Sequence, residues 1–184
     1  MRLLVTSMRR FIKLKPKFLY IVGLIFCLAA CFELFNGADD KAKRWPHLTA
    51  RPLFSEQAVQ DKQAPGQWLF VNIWATWCEP CRKELPWLQI LASKFEQSNF
   101  SVQLISIDTD LNLVKEFLLQ YHIDLPVYFS SREEVERLLN STGYPVSYLI
   151  NPNGKIVKVY SGVKAWHSEE VLKELQETMK SDDG

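Results

Sequence analysis

The most constraining feature of the sequence is a pair of cysteines at the point where a buried strand passes into a helix. Residues 68–74 read WLFVNIW, an apolar run of strand length, and helical periodicity begins just after Cys78 and Cys81. Two cysteines with this spacing can close a disulfide across one helical turn. The partial positive charge of the helix N-terminus favours a thiolate on the first sulfur. The pattern therefore predicts a redox site with Cys78 as nucleophile and Cys81 as resolving thiol.

Zinc binding is the other common use of this cysteine spacing, and it requires two further ligands. Outside residues 1–35 the chain has no other cysteine, and its histidines, His47, His122 and His167, are not paired at ligand spacing. A purely structural bridge is also disfavoured, because closing so short a loop constrains the unfolded chain little. The sequence thus favours a redox-active disulfide, with no metal and no other cofactor.

The charge of the chain is divided unevenly along its 184 residues. Residues 1–35 hold six of the 22 Lys and Arg residues but one of the 21 Asp and Glu residues. The remainder has 16 basic and 20 acidic residues, a net charge of about −4 with neutral histidines. Nucleic acid is an improbable partner for such a domain. The length is sufficient for one membrane anchor and one domain with a core of its own.

Residues 18–35 read FLYIVGLIFCLAACFELF and follow a basic segment, residues 1–17. This arrangement predicts a cytoplasmic N-terminus, a transmembrane anchor, and a domain on the extracytoplasmic or periplasmic face of a bacterial inner membrane. The alternative is a lipoprotein-type signal, because residues 28–31 resemble a lipobox ending at Cys31. The apolar character continues past Cys31, which favours the uncleaved helix. Both interpretations export the rest of the chain.

Residues 36–55 are polar, and we interpret them as a linker or an irregular start of the domain. The sequence predicts one domain over residues 56–184. The first predicted elements are a strand at 68–74, a helix from Glu79 to about Ser98, and a strand at 102–107. A helix capped by Thr109 or Asp110 follows, and its inward-facing residues are Val114, Phe117, Leu118 and Tyr121. The last elements are an extended piece at 126–129, a brief helix, a hairpin of 146–150 with 155–160, and a final helix capped by Ser168. This order predicts an α/β domain whose mixed sheet is covered on both faces.

Residues 71–86 read VNIWATWCEPCRKELP, a long and specific segment, and Gly143-Tyr144-Pro145 precedes the predicted hairpin. Together they resemble the membrane-tethered TlpA/ResA/DsbE (CcmG) family of extracytoplasmic thiol:disulfide oxidoreductases. The order of elements agrees from about residue 65 to the carboxyl end. The resemblance implies a thioredoxin-like fold with a mixed central sheet flanked by helices, and a thiol:disulfide oxidoreductase activity.

The resemblance also implies roles for residues beyond the cysteines. Pro145 corresponds to a cis-proline that presents backbone to an extended substrate, and Trp77 and Tyr144 would contact that substrate. Tyr144 is bulkier than the residue usual in the family. Asn72 stands where cytoplasmic thioredoxins carry a proton-relaying aspartate. Glu84 matches a glutamate of ResA-like members and is the acid/base candidate, the alternative being a solvated helix glutamate.

The predicted function is an anchored reductase of protein disulfides. The family implies apocytochrome c as a substrate, and a membrane electron donor of the DsbD/CcdA type. Glu79, an anion beside Cys78, opposes thiolate stabilisation and tilts the couple towards reductant. The alternatives are a reductase for copper-site assembly, a disulfide isomerase, or a copper-binding chaperone using the two cysteines, with His167 as the candidate third ligand.

Overall fold

The structure, a computed structural model, describes residues 43–54 and 66–182. The strands are β1 (Arg51–Pro52), β2 (Trp68–Trp74), β3 (Phe100–Ser106), β4 (Val127–Phe129), β5 (Val146–Ile150) and β6 (Ile156–Ser161). The helices are α1 (Glu79–Lys94), α2 (Leu111–Gln120), α3 (Arg132–Leu139) and α4 (Glu169–Asp182). The predicted anchor at 18–35 and Cys31 lie outside the described residues. Within the described ranges, no helix has the length and apolar character needed to cross a membrane.

The six strands form one mixed sheet in the order β1-β4-β3-β2-β5-β6. β2, β3 and β4 run parallel, while β1, β5 and β6 are antiparallel to their neighbours. All seven residues of β2 are buried, which explains why the strand reads as an unbroken apolar run rather than an alternating one. The predicted mixed sheet is therefore confirmed.

The strand register brings three loops to one edge of the sheet. β2 and β3 end level with each other, because Trp74 pairs with Ser106. β5 runs in the opposite direction, and its first residue, Val146, pairs with Ile73. The chain leaving β2 towards α1, the chain leaving β3 and the chain entering β5 consequently meet at the same edge. The predicted redox site lies there.

α1 ends at Lys94 rather than near Ser98, where the periodicity placed its end. The reason is the packing of Phe95, which is buried with its ring 4.7 Å from that of Phe100. The Ser98 N–H donates to the Phe95 carbonyl, so the chain turns there towards β3. The apolar period of α1 thus extends into the turn, but the helical hydrogen bonding does not.

Tyr121, which we predicted on the inner face of the second helix, is 46% exposed. It follows the last residue of α2 as the C-cap, and its ring stacks on that of Phe117 at 4.3 Å. The other predicted inward residues of this helix, Val114, Phe117 and Leu118, are buried. Asp110 caps the helix by accepting a hydrogen bond from the Asn112 N–H, as the sequence indicated.

Residues 43–54 belong to the folded domain, which agrees with the interpretation of this segment as an irregular start rather than as a linker. Leu48, Ala50 and Leu53 are buried in the core, and β1 pairs with the edge strand β4. The sequence conceals this because the segment is mostly irregular, with a strand of two residues, and so has no period to detect. Its apolar side chains enter the core individually and not as one face of a helix or strand.

The core predicts a sharp contrast between two aliphatic residues of α1. Leu88 is completely buried, whereas Ile90 is 39% exposed on the same helix. We expect Leu88→Ala to lower the free energy of unfolding by about 2–5 kcal/mol, because it leaves a cavity that the core cannot fill. Ile90→Ala should cost about 1 kcal/mol or less. Urea denaturation followed by circular dichroism measures both, and equal losses would contradict the assigned packing.

Candidate active site

Cys78 and Cys81 form a disulfide at the start of α1. Cys78 is the N-cap residue, and its Sγ accepts a hydrogen bond from the Cys81 N–H at 3.3 Å. Pro80 lies in the first turn, where its missing N–H costs no helical hydrogen bond. Cys78 is 6% exposed, whereas Cys81 is completely buried. Of the two cysteines, Cys78 is therefore the one that retains some contact with solvent.

Asp108 fixes the turn that leads into the disulfide, and the sequence analysis missed it. Its carboxylate accepts hydrogen bonds from the Thr76 N–H at 2.9 Å, the Thr76 hydroxyl at 2.6 Å and the Ser106 hydroxyl at 2.8 Å. These contacts join the end of β3 to the loop before Cys78. The sequence could have indicated Asp108, because an acidic residue directly after a strand parallel to β2 must lie at the same sheet edge as the cysteines.

Two aromatic residues form the rim beside the disulfide. Trp77 is 56% exposed, and its ring meets that of Tyr144 edge-on at 6.2 Å. The Tyr144–Pro145 peptide bond is cis, as the resemblance implied. The structure thus brings together Trp77, Tyr144 and Pro145, the three residues that the sequence proposed for substrate contact.

The first two turns of α3 support this rim. The Arg132 guanidinium lies over the Trp77 ring at 5.9 Å and makes an ion pair with Glu136 at 2.7 Å. The Tyr144 hydroxyl donates to the Glu136 carboxylate at 3.4 Å. The four side chains form a closed ring of contacts, in which one ion pair holds both aromatic residues. Tyr144 is therefore part of a connected surface.

Two open grooves adjoin the rim. The first, of about 530 Å³, includes Tyr144 and Gly143 together with Ser161 and Lys43. The second, of about 460 Å³, includes Trp77 with Phe129 and the cations Arg51 and Arg132. Each rim aromatic forms part of one groove.

Glu84 is completely buried, which contradicts the interpretation of it as a solvated helix glutamate. It lies one helical turn after Cys81, on the same side of α1. Oε1 accepts a hydrogen bond from Asn72 Nδ2 at 2.7 Å. Oε2 accepts from the Trp166 indole N–H at 2.9 Å and from the Lys164 backbone N–H at 3.2 Å. Three N–H donors from two other parts of the chain thus converge on one carboxyl group.

Burial and these hydrogen bonds together place the pKa of Glu84 close to neutral pH. Burial raises the pKa of Glu84 to about 7, while the hydrogen bonds from Trp166, Asn72 and the Lys164 backbone act in the opposite direction. A carboxyl group with such a pKa is partly protonated at neutral pH. It can both accept and donate a proton, which an ordinary glutamate cannot do efficiently there.

Asn72, which replaces the aspartate of cytoplasmic thioredoxins, connects Glu84 to β5. Its side-chain N–H group also donates to the Ser147 hydroxyl at 2.9 Å. The His167 ring lies 5.0 Å from the Trp87 ring and is tilted by 41° relative to it. Among the residues that the structure describes, no three His, Cys, Asp or Glu side chains are grouped to hold a metal ion. His167 therefore gains no support as a third copper ligand.

Comparison with known proteins gives the family. Residues 42–159 match the sequence model of the AhpC/TSA family. The chain belongs to this family. It is 30% identical over 171 residues to the thiol-disulfide oxidoreductase ResA of Bacillus thuringiensis subsp. konkukian, covering 89% of this chain and 94% of that relative.

Solved structures agree with this assignment. The chain is similar to a DsbE-type thiol:disulfide interchange protein from Chlorobium tepidum, with a TM-score of 0.65 and 25% identity over 79% of this chain and 99% of the other. StoA from Bacillus subtilis shares the fold, with a TM-score of 0.53 at 23% identity over 62% of this chain and 84% of its own. The protein is a thiol-disulfide oxidoreductase with a thioredoxin-like fold and a Cys-x-x-Cys disulfide.

The buried carboxyl group predicts a pH-dependent stability. Below about pH 4.5 Glu84 is protonated in both the folded and unfolded states, and between pH 4.5 and 7 only the folded state retains the proton. This contribution to stability is therefore complete at low pH and is lost as the pH rises through about 7. Relative to Glu84→Gln, we expect the free energy of unfolding of the oxidised wild type to fall by about 3 kcal/mol from pH 4.5 to 8.

Urea titrations of both proteins at several pH values measure this difference. The substitution changes stability at every pH, so the quantity of interest is how the gap between the two curves changes. Parallel curves for the wild type and Glu84→Gln would show that Glu84 has an ordinary pKa.

Proposed function

We propose that this protein is a membrane-anchored reductase of protein disulfides that acts outside the cytoplasm. The observation that carries the proposal is the Cys78–Cys81 disulfide at the N-terminus of α1, in which Cys78 is 6% exposed and Cys81 not at all, followed one turn later by the buried Glu84. The first sulfur meets the substrate, the second completes the exchange, and the carboxyl group serves the proton transfers.

The reaction runs in two exchanges. In the reduced protein, the Cys78 thiolate attacks one sulfur of a substrate disulfide, so that bond breaks and the other substrate sulfur leaves as a thiolate that takes a proton. The Cys81 thiolate then attacks Cys78 Sγ, which forms the Cys78–Cys81 disulfide and releases the second substrate thiol. The substrate gains two electrons and two protons, and the protein loses two electrons. A membrane donor of the DsbD/CcdA type returns them by the reverse exchange.

The direction of electron transfer follows from the charges near the sulfurs. A stabilised thiolate makes the reduced protein more stable and the couple more oxidising. Glu84 as a carboxylate, one turn from Cys81 and away from water, opposes thiolate formation. Glu79 contributes less, because it is fully exposed to solvent and makes an ion pair with Lys83 at 2.8 Å. The buried carboxyl group of Glu84, more than that of Glu79 beside Cys78, favours a reducing Cys78–Cys81 couple.

Glu84 is the proposed acid/base group of this exchange. Cys81 must lose its proton to attack Cys78 Sγ, and it has no access to solvent in the disulfide form. Asn72 cannot accept that proton, whereas Glu84 has a pKa of about 7, raised by burial. The carboxyl group accordingly takes the place of the missing aspartate.

The rim and its grooves are the proposed substrate-binding surface. An extended segment of the substrate would lie beside Tyr144 and Pro145, with Trp77 packed against it. The predicted anchor at 18–35 would hold the domain on the extracytoplasmic side of the membrane. The relatives to which this chain is similar are named ResA. The family resemblance implies apocytochrome c as a substrate, and we propose it as the substrate of this protein.

Trapping tests this function. Without Cys81 the mixed disulfide cannot be resolved, so Cys81→Ser should accumulate covalent complexes between Cys78 and substrate proteins. The complexes should appear in the membrane fraction on non-reducing gels and disappear on reduction. The matched control is Cys78→Ser, which should trap none. Complexes formed through Cys81 in that control would overturn the assignment of the two sulfurs.

The redox potential tests the direction. We expect roughly −220 to −300 mV for the Cys78–Cys81 couple, nearer thioredoxin than the oxidising DsbA at about −120 mV. Glu84→Gln should move the potential towards the oxidising end, because it removes a buried negative charge. The control Glu79→Gln should move it less, since water screens that charge. Equilibration with glutathione gives all three values, and a wild-type potential near −120 mV would exclude a reductase.

A further inference from the structure

The segment between β6 and α4, residues 162–168, reaches both parts of the site. The Gly162 N–H donates to the Pro145 carbonyl at 2.9 Å, beside the rim. Lys164 and Trp166 supply two of the three N–H donors to Glu84. Lys164 and Trp166 stand 80 and 82 residues after Glu84 in the chain, and the proposed chemistry gives neither of them a role.

The contacts of the Trp166 ring hold its indole N–H in a single orientation. The side chain is completely buried, and its ring meets Phe70 edge-on at 4.8 Å and Tyr160 edge-on at 5.2 Å. Aromatic neighbours on β2 and β6 therefore hold the indole while its nitrogen points to Glu84 Oε2 at 2.9 Å.

We propose that Trp166 is a positioning residue for disulfide exchange, whose indole N–H holds the Glu84 carboxyl group in place for proton transfer with the dithiol. The catalytic consequence rests on the acid/base role proposed for Glu84, whereas the effect of Trp166 on Glu84 itself does not. The indole donor stabilises the carboxylate more than the neutral acid, because a hydrogen bond to a charged acceptor is the stronger one.

The other groups around Glu84 do not substitute for this donor. Asn72 and Ser147, from β2 and β5, are neutral. The Lys164 ammonium points away, lying 3.9 Å from the Glu174 carboxylate and 5.2 Å from the centre of the Tyr160 ring. The remaining titratable neighbours on α1 are Cys78, Cys81 and the exposed residues Glu79, Arg82 and Lys83. Across residues 43–54 and 66–182, no ion pair joins Glu84 to a cation.

The test compares Trp166→Phe with Tyr160→Phe in the full-length protein. Trp166→Phe removes the donor and keeps an aromatic ring, whereas Tyr160→Phe alters the same aromatic cluster and keeps the donor. Carbon-13 NMR of glutamate-labelled protein follows the Glu84 carboxyl group, whose signal is identified by its absence in Glu84→Gln. Trp166→Phe should raise the titration midpoint of Glu84 by about one to two pH units. Tyr160→Phe should move it by less than about 0.5.

A second readout is the pH profile of exchange with a model disulfide substrate. Trp166→Phe should shift the profile upwards by the same amount as the NMR midpoint. In the Glu84→Gln background the same substitution should shift nothing, because the group through which it acts is gone. If Trp166→Phe does not fold, benzothienylalanine at position 166 replaces only the N–H by sulfur and keeps the shape.

The outcomes separate the two hypotheses. An unchanged Glu84 midpoint in Trp166→Phe overturns the inference about Trp166, and the acid/base role of Glu84 then stands or falls on the Glu84→Gln profile alone. A moved midpoint with a wild-type exchange profile in Glu84→Gln overturns the acid/base role, and with it any part of Trp166 in the reaction. A moved midpoint together with a matching shift of the exchange profile supports both.

Discussion

The burial of one carboxyl group constrains the rest of this domain. Removing a carboxylate from water costs several kcal/mol unless hydrogen bonds replace the lost solvation. Glu84 obtains them from Asn72, 12 residues before it, and from Lys164 and Trp166, 80 and 82 residues after it. α1, β2 and the segment after β6 must therefore be in place together. Glu84 therefore has its full set of hydrogen bonds only when these three parts of the chain are together.

In the proposed function, the same carboxyl group acts on the chemistry in two ways that depend on its charge. As a carboxylate it opposes thiolate formation at the neighbouring cysteines and makes the couple more reducing. As a neutral acid it can supply a proton to a leaving sulfur. A pKa of about 7, raised by burial, keeps both forms available near neutral pH. Potential and proton transfer are consequently properties of one group and change together when its surroundings change.

Local pattern was sufficient to predict most of the fold and the redox pair. β2, the cysteines and the hairpin of β5 with β6 depend on residues close together in the chain, so composition and period reveal them. Glu84 was selected through a resemblance, and only the structure showed that it is buried. Its contact with Trp166 spans 82 residues and follows no local pattern. For residues 43–54 the sequence left a linker and an irregular start as alternatives for a related reason, since single apolar side chains without a period do not show whether they enter a core.

The rim and the sulfurs depend on different elements. Cys78, Cys81 and Glu84 belong to the start of α1, whereas Arg132 and Glu136, which hold Trp77 and Tyr144, belong to α3. Replacements on α3 can reshape the surface that a substrate meets and leave the electrochemistry of the dithiol as it was. A gene duplicate could in this way acquire a new client protein by a few changes on one short helix, while the couple inherited from its ancestor continued to work at the same potential.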